Sequence, residues 1–127
     1  MKEIKYSNVI GLMSGTSADG IDLSIVDTNG ITLSRNKENL IYPYSENTKR
    51  QLRFIMNNIS YILENKSFIK ELELSITNDH IDAVNFVKNK FKITPSLIGF
   101  HGQTILHDIQ NKTSIQLGDG KLLSKKT

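Results

Sequence analysis

Residues 8–26 constrain the fold more than any other stretch. Two apolar runs, Asn8–Met13 and Ile21–Val26, flank a turn made of Ser14-Gly15-Thr16-Ser17-Ala18-Asp19-Gly20. The first is the compact apolar run of a buried strand, stopped by Ser14-Gly15. In the second, Ile21, Leu23 and Ile25 alternate with Asp22 and Ser24, the period of a half-buried strand. Asp27-Thr28-Asn29-Gly30 then supplies an Asn-Gly step, a strong short-range hairpin signal. A third strand, Ile31 to about Arg35, returns from it, so the three form an antiparallel meander.

Beyond the meander the period changes. Pro43 closes an extended segment, and Ser45 is a fitting N-cap for a helix from Glu46 to about Leu63. Leu52, Ile55, Met56, Ile59 and Ile62 give that helix one apolar face. A second helical region runs from Ser67 to about Lys90, with Ile69, Leu72 and Ile76 in its first half and Val84, Val87 and Phe91 in its second. Thr77-Asn78-Asp79 are weak helix formers and leave open whether the region is one helix or two. Pro95 opens a fourth strand, Leu97–His101, ending in the turn residue Gly102. Thr104–His107 and Thr113–Leu117 read as a short pair joined by Asp108–Lys112. Asp119 is a suitable N-cap for a last helix carrying Leu122 and Leu123. The pattern predicts an α/β fold in which the meander supplies half the sheet and a crossover adds a parallel strand.

Composition removes several function classes. The chain of 127 residues suits one domain with a modest core. Its 16 basic and 13 acidic side chains give a net charge of +3. The lysines are scattered, with only Lys121, Lys125 and Lys126 clustered, so no stripe for nucleic acid is expected. With no cysteine, disulfides and thiolate metal sites are excluded, which fits a reducing cytoplasm. The run Val9–Met13 is too short for a signal-peptide core, and no run approaches the roughly 20 residues of a membrane helix. The expectation is a soluble, cytoplasmic protein without membrane or nucleic-acid partners.

Three clusters carry candidate chemistry. In the turn of Gly11–Asp22, glycines let the backbone bend and come close to a ligand. Successive N–H groups can form a concave anion site, and the Thr16 and Ser17 hydroxyls add donors. Phosphate is the natural guest, although Ser, Asp and Gly also make plain hairpin turns. No lysine follows the glycines, so this is not a Walker sequence. The second cluster, Gly99-Phe100-His101-Gly102-Gln103-Thr104, ends the fourth strand, where open α/β sheets bind ligands. His101 there either orients a substrate hydroxyl or makes a structural hydrogen bond. His80, on a helix, reads as structural, and the three histidines lack metal-ligand spacing. In the third cluster, Gln116-Leu117-Gly118-Asp119-Gly120, capping suffices to explain Asp119.

Taken together, Gly11-Leu12-Met13-Ser14-Gly15-Thr16-Ser17-Ala18-Asp19-Gly20-Ile21-Asp22, then His101-Gly102-Gln103-Thr104-Ile105 with His107, then Thr113 and Gln116-Leu117-Gly118-Asp119 resemble the anhydro-N-acetylmuramic acid kinases in order and spacing. The resemblance implies an actin-like (ribonuclease H-like) ATPase fold of two lobes closing over ATP. It implies that ATP and Mg²⁺ serve to open the 1,6-anhydro bridge of the sugar with water and to phosphorylate O6 during cell-wall recycling. Gly15, Thr16, Ser17, Ala18, Asp19, Gly20, Ile21 and Asp22 would form the ATP-binding segment, with Gly15, Thr16 and Ser17 on the phosphates. Asp19 and Asp22 would either hold Mg²⁺ through water or brace the turn, so no metal ligand is assigned. His101, Gln103 and Thr104 would face the sugar. Two departures stand out. Ala18 replaces the family's usual leucine, and family members are considerably longer, with their general-base aspartate beyond Thr127. Residues 1–127 are therefore expected to be a truncated first lobe, lacking its last strand and the whole second lobe. Such a chain would be inactive alone, or would associate with a missing C-terminal half or another copy of itself.

Overall fold

The structure, a computed structural model, describes residues 5–127. Strands β1 (Tyr6–Ser14), β2 (Gly20–Thr28) and β3 (Leu33–Pro43) form the meander; α1 (Glu46–Asn57), the single turn α2 (Tyr61–Glu64) and α3 (Lys66–Phe91) follow. Strands β4 (Ile98–Asp108) and β5 (Thr113–Leu117) form a hairpin, and α4 (Gly120–Lys126) comes last. The five strands make one mixed sheet in the order β3-β2-β1-β4-β5. Only the β1–β4 pair is parallel, joined by the helical crossover. The α/β class, the meander and the added parallel strand are as the sequence implies.

Alternation decides which face of the sheet is covered. Ile10 and Leu12 of β1 and Ile21, Leu23 and Ile25 of β2 are buried against Leu52, Ile55, Leu72, Ile76, Val84 and Val87 of α1 and α3. The positions between them lie on the other face and stay open, Met13 58% and Ile41 73% exposed. At the N-terminus of α1, Ser45 Oγ accepts from Thr48 N at 3.3 Å, the expected cap. Asp119 caps α4 by accepting from Leu122 N at 3.0 Å.

Three expectations need correction, and one open question is answered. The third strand does not start at Ile31: Asn29 Oδ1 accepts from the N–H groups of Ile31 and Thr32, folding them into the turn, and β3 runs on from Leu33 to Pro43. The first helix stops at Asn57, where the Asn58 N–H closes on Ile55 O and a short turn leads into α2. The second helix is unbroken through Thr77-Asn78-Asp79. Thr77 Oγ1 donates to Glu73 O and accepts from Asp119 N, while Asp79 Oδ2 accepts from Ser45 N and Oγ. These side chains thus stitch α3 to α1 and α4 instead of competing with the helix backbone.

The third correction bears on the site. Gly102 does not end a strand, because β4 continues through it to Asp108. Between the pairs Leu12↔Phe100 and Ser14↔Gln103, β4 uses three steps against two on β1, a bulge with Gly102 at φ +79°. The extra residue reverses the alternation. His101 points to the open face, and Gln103, which an unbroken pleat would put on that same face, is turned into the core.

Candidate functional site

The bend between β1 and β2 lies at the carboxyl end of β1, the edge where parallel strands of α/β sheets present their ligands. Ala18 N donates to Gly15 O at 3.2 Å, closing a four-residue turn, and Tyr44 N ties down Asp19 O at 3.1 Å. Ala18 takes φ +57° and is buried, so its methyl anchors the turn in the core. Gly15, Thr16 and Ser17 are exposed. Among the described residues their N–H groups have no protein acceptor, nor do the Thr16 and Ser17 hydroxyls. Three adjacent amides and two hydroxyls therefore face solution at one rigidly closed bend.

The other residues of the segment divide by direction. Asp19 and Asp22 are exposed carboxylates on the same hairpin. Ile21 is fully buried, so its side chain belongs to the core and cannot touch a ligand. Gly20 passes close beneath β3, where its register partner is Pro43. Among the described residues, no three His, Asp or Glu side chains converge as a metal cluster, and no helix is long and apolar enough to cross a membrane.

The second cluster splits as well. His101 is exposed and, with Gly11, Met13, Asp22, Ser24 and Gly99, lines a hollow of about 600 Å³ on the open face. Thr104 is half-buried. Gln103 does not face a cleft at all. It is 0% exposed, and its Nε2 donates to Gly15 O and to Thr104 O, both at 2.9 Å. With both carbonyls on the nitrogen side, Oε1 must point the other way, toward the Tyr44 hydroxyl at 2.9 Å.

That contact belongs to a buried polar chain which the sequence did not disclose. The Tyr44 hydroxyl also lies 2.8 Å from Ser14 Oγ, and Ser14 Oγ lies 3.2 Å from His80 Nε2. His80 Nδ1 sits 2.8 Å from Ile76 O, which can only accept, so Nδ1 carries a proton. Burial pushes the His80 pKa down, outweighing the pull of the Ile76 carbonyl and of the Asp79 charge. The ring is then neutral, and Nε2 accepts from Ser14. Burial also raises the Tyr44 pKa, so its hydroxyl keeps its proton. His80 is structural, as expected; Ser14 and Tyr44 are its unforeseen partners.

The depressed His80 pKa has a measurable sign. Unfolded, the imidazole titrates near 6.5; folded, it does so lower. Between those values the unfolded chain binds the extra proton, so stability is full above about pH 6.5 and falls with pH below it. One proton tilts stability by at most about 1.4 kcal/mol per pH unit. Urea unfolding of the wild type and of His80→Gln from pH 7.5 downward should show this slope in the wild type only. Equal slopes would remove His80 as its source.

The Anhydro-N-acetylmuramic acid kinase family model matches residues 7–127. Among curated relatives, the kinase of that name from Gluconobacter oxydans is 36% identical over 115 residues, covering 90% of this chain and 32% of the relative. That from Pelagibacter ubique is 38% identical over 126 residues, covering 94% and 33%. That from Rhodospirillum rubrum is 32% identical over 117 residues, covering 92% and 31%. The chain thus spans about a third of the length of the curated relatives it matches.

Proposed function

The chain belongs to the anhydro-N-acetylmuramic acid kinase family, and on that premise we propose that residues 1–127 are the nucleotide-binding first lobe of such a kinase. Membership carries an actin-like ATPase fold, with which the meander and parallel β4 agree. The observation that carries the reading is the bend at Gly15–Ser17, whose N–H groups no acceptor claims among the described residues. Such amides suit the oxygens of a polyphosphate.

In this reading Gly15, Thr16 and Ser17 hold the β- and γ-phosphates of ATP through main-chain N–H groups and two hydroxyls. Asp19 and Asp22 stand on the exposed side of the same hairpin, where carboxylates suit a water-ringed Mg²⁺. When bound, ATP supplies the phosphoryl group that passes to O6 of the 1,6-anhydro sugar, while water adds at C1 as the bridge opens and ADP departs. His101, exposed beside the open-face hollow, and Thr104 are the residues we assign to the sugar side. Gln103 supports the bend from within. A need for ATP fits a cytoplasmic location in this reading.

Phosphoryl transfer works through positioning and charge stabilisation from both walls of a cleft. Residues 1–127 supply one wall, so this chain alone is expected to bind Mg-ATP without turning over the sugar. Titrating ATP into ¹⁵N-labelled protein should move the Thr16 and Ser17 amide signals, and no sugar 6-phosphate should accumulate with 1,6-anhydro-N-acetylmuramic acid, ATP and Mg²⁺. Unmoved amide signals would remove the nucleotide site; rapid sugar phosphate formation would refute dependence on a second lobe.

One observation favours a second reading, association in trans. Residues 98–100 of β4 pair with β1 on one side, while β5 covers only residues 103–108 on the other. Beside that open stretch of edge lies a hollow of about 500 Å³ lined by Leu97, Ile98, Phe100, Leu123 and Thr127. A strand from a C-terminal kinase segment, or a second copy, would complete the ladder there. Co-expression with the C-terminal two-thirds of a relative should then restore sugar phosphorylation; an inert, unassociated pair would dismiss it.

A further inference from the structure

The buried Gln103 fixes more than the position of the bend. A trans peptide is planar, with its carbonyl and its N–H pointing in opposite directions. Gly15 O and Thr16 N share one such plane. Gly15 O is held inward by the amide of Gln103, itself wholly enclosed, and is held across the turn by Ala18 N. With the carbonyl fixed inside, the Thr16 N–H has only the outward direction. Reversing this peptide would bury the N–H against Gln103 Nε2, donor against donor, and aim a carbonyl oxygen at any approaching anion.

We propose that Gln103 is a positioning residue which sets the orientation of the Gly15–Thr16 peptide, and that Tyr44 sets Gln103 by holding its Oε1. Gln103 touches no ligand in this scheme. Its amide is polarised, one end committed to carbonyls and the other to the Tyr44 hydroxyl, so rotation by half a turn would break three contacts at once. The Gly102 bulge makes this possible by turning Gln103 beneath the bend. The consequence for ligand binding rests on the phosphate reading above; the consequence for the peptide does not.

The test separates the two. Gln103→Glu keeps the side chain's size. Ionised, it sets acceptor oxygens against the Gly15 carbonyl; protonated, it regains one O–H to donate. Nucleotide-free ¹⁵N spectra of folded Gln103→Glu near neutral pH should show the Thr16 and Ser17 amides displaced, moving back toward wild-type positions on acidification. Mg-ATP affinity at neutral pH should fall by about tenfold or more, as for a lost donor next to a charge. Tyr44→Phe, which removes no donor to Gly15 and introduces no charge, should displace the same amides less, with an affinity loss of about threefold. Should Gln103→Glu fail to fold, Tyr44→Phe alone decides by the same amide signals. Thr16 and Ser17 signals at wild-type positions in folded variants would overturn the proposal. If wild-type amides ignore ATP, the nucleotide reading falls while the displacement still judges the role of Gln103.

Discussion

Alanine at position 102 should cost the fold about 3–5 kcal/mol, a large part of the roughly 5–15 kcal/mol that holds a domain together. Gly102 has φ +79°, where a side chain alone costs about 1–2 kcal/mol. A Cβ there would also stand 2.6 Å from the Leu117 carbonyl oxygen and 3.3 Å from its carbon. Both are backbone atoms of β5, which cannot move aside without parting Gln103 from its register partner Leu117. Urea denaturation of Gly102→Ala measures the loss. A change below about 1 kcal/mol would show that the bulge is not fixed by this glycine.

Gly15→Val should do the opposite, sparing the fold and removing the site. A Cβ at Gly15 meets nothing within 4 Å, and the residue is exposed. No protein contact demands glycine there, and stability should stay within about 0.5 kcal/mol of the wild type. A ligand oxygen bound at about 3 Å from the adjacent amides would instead collide with the valine methyls. Mg-ATP affinity should fall about a hundredfold, equivalent to some 2.7 kcal/mol. Calorimetric titration alongside a thermal melt reads both quantities. Unchanged affinity in a folded Gly15→Val protein would move the phosphate site away from the bend.

What could be read in advance was local. The alternation at Ile21, Leu23 and Ile25, the Asn29-Gly30 turn and the caps Ser45 and Asp119 are all set by neighbours a few residues away. The unbroken α3 was not legible, because Thr77 and Asp79 are reconciled with the helix by bonds to Asp119 and Ser45, 42 and 34 residues distant. The continuity of β4 was hidden for a related reason. Glycine after a strand signals a stop, and only the β1 register shows that this one is a bulge. For the site, motif resemblance located the bend but gave each residue a ligand-facing role. It could not tell that Ile21 and Gln103 point inward, which pleat phase decides. Ser14, Tyr44, His80 and Gln103 meet across separations of 66, 30 and 59 residues. No periodicity within a single element encodes such a meeting.

The Tyr44 phenol sits between two oxygens at nearly equal range and owns a single hydrogen to offer them. With the imidazole uncharged, Ser14 has already given its own hydrogen to Nε2, so the phenol is a rotor with two seats. Its single hydrogen is shared between the Gln103 amide oxygen and Ser14. A proton arriving on the imidazole ends this rivalry, because Ser14 then receives from the ring and hands its hydrogen to the phenol, whose own goes to Gln103. The Gln103 amide beneath the bend is thereby joined to the middle of α3 by an unbroken chain of buried hydrogen-bonding groups.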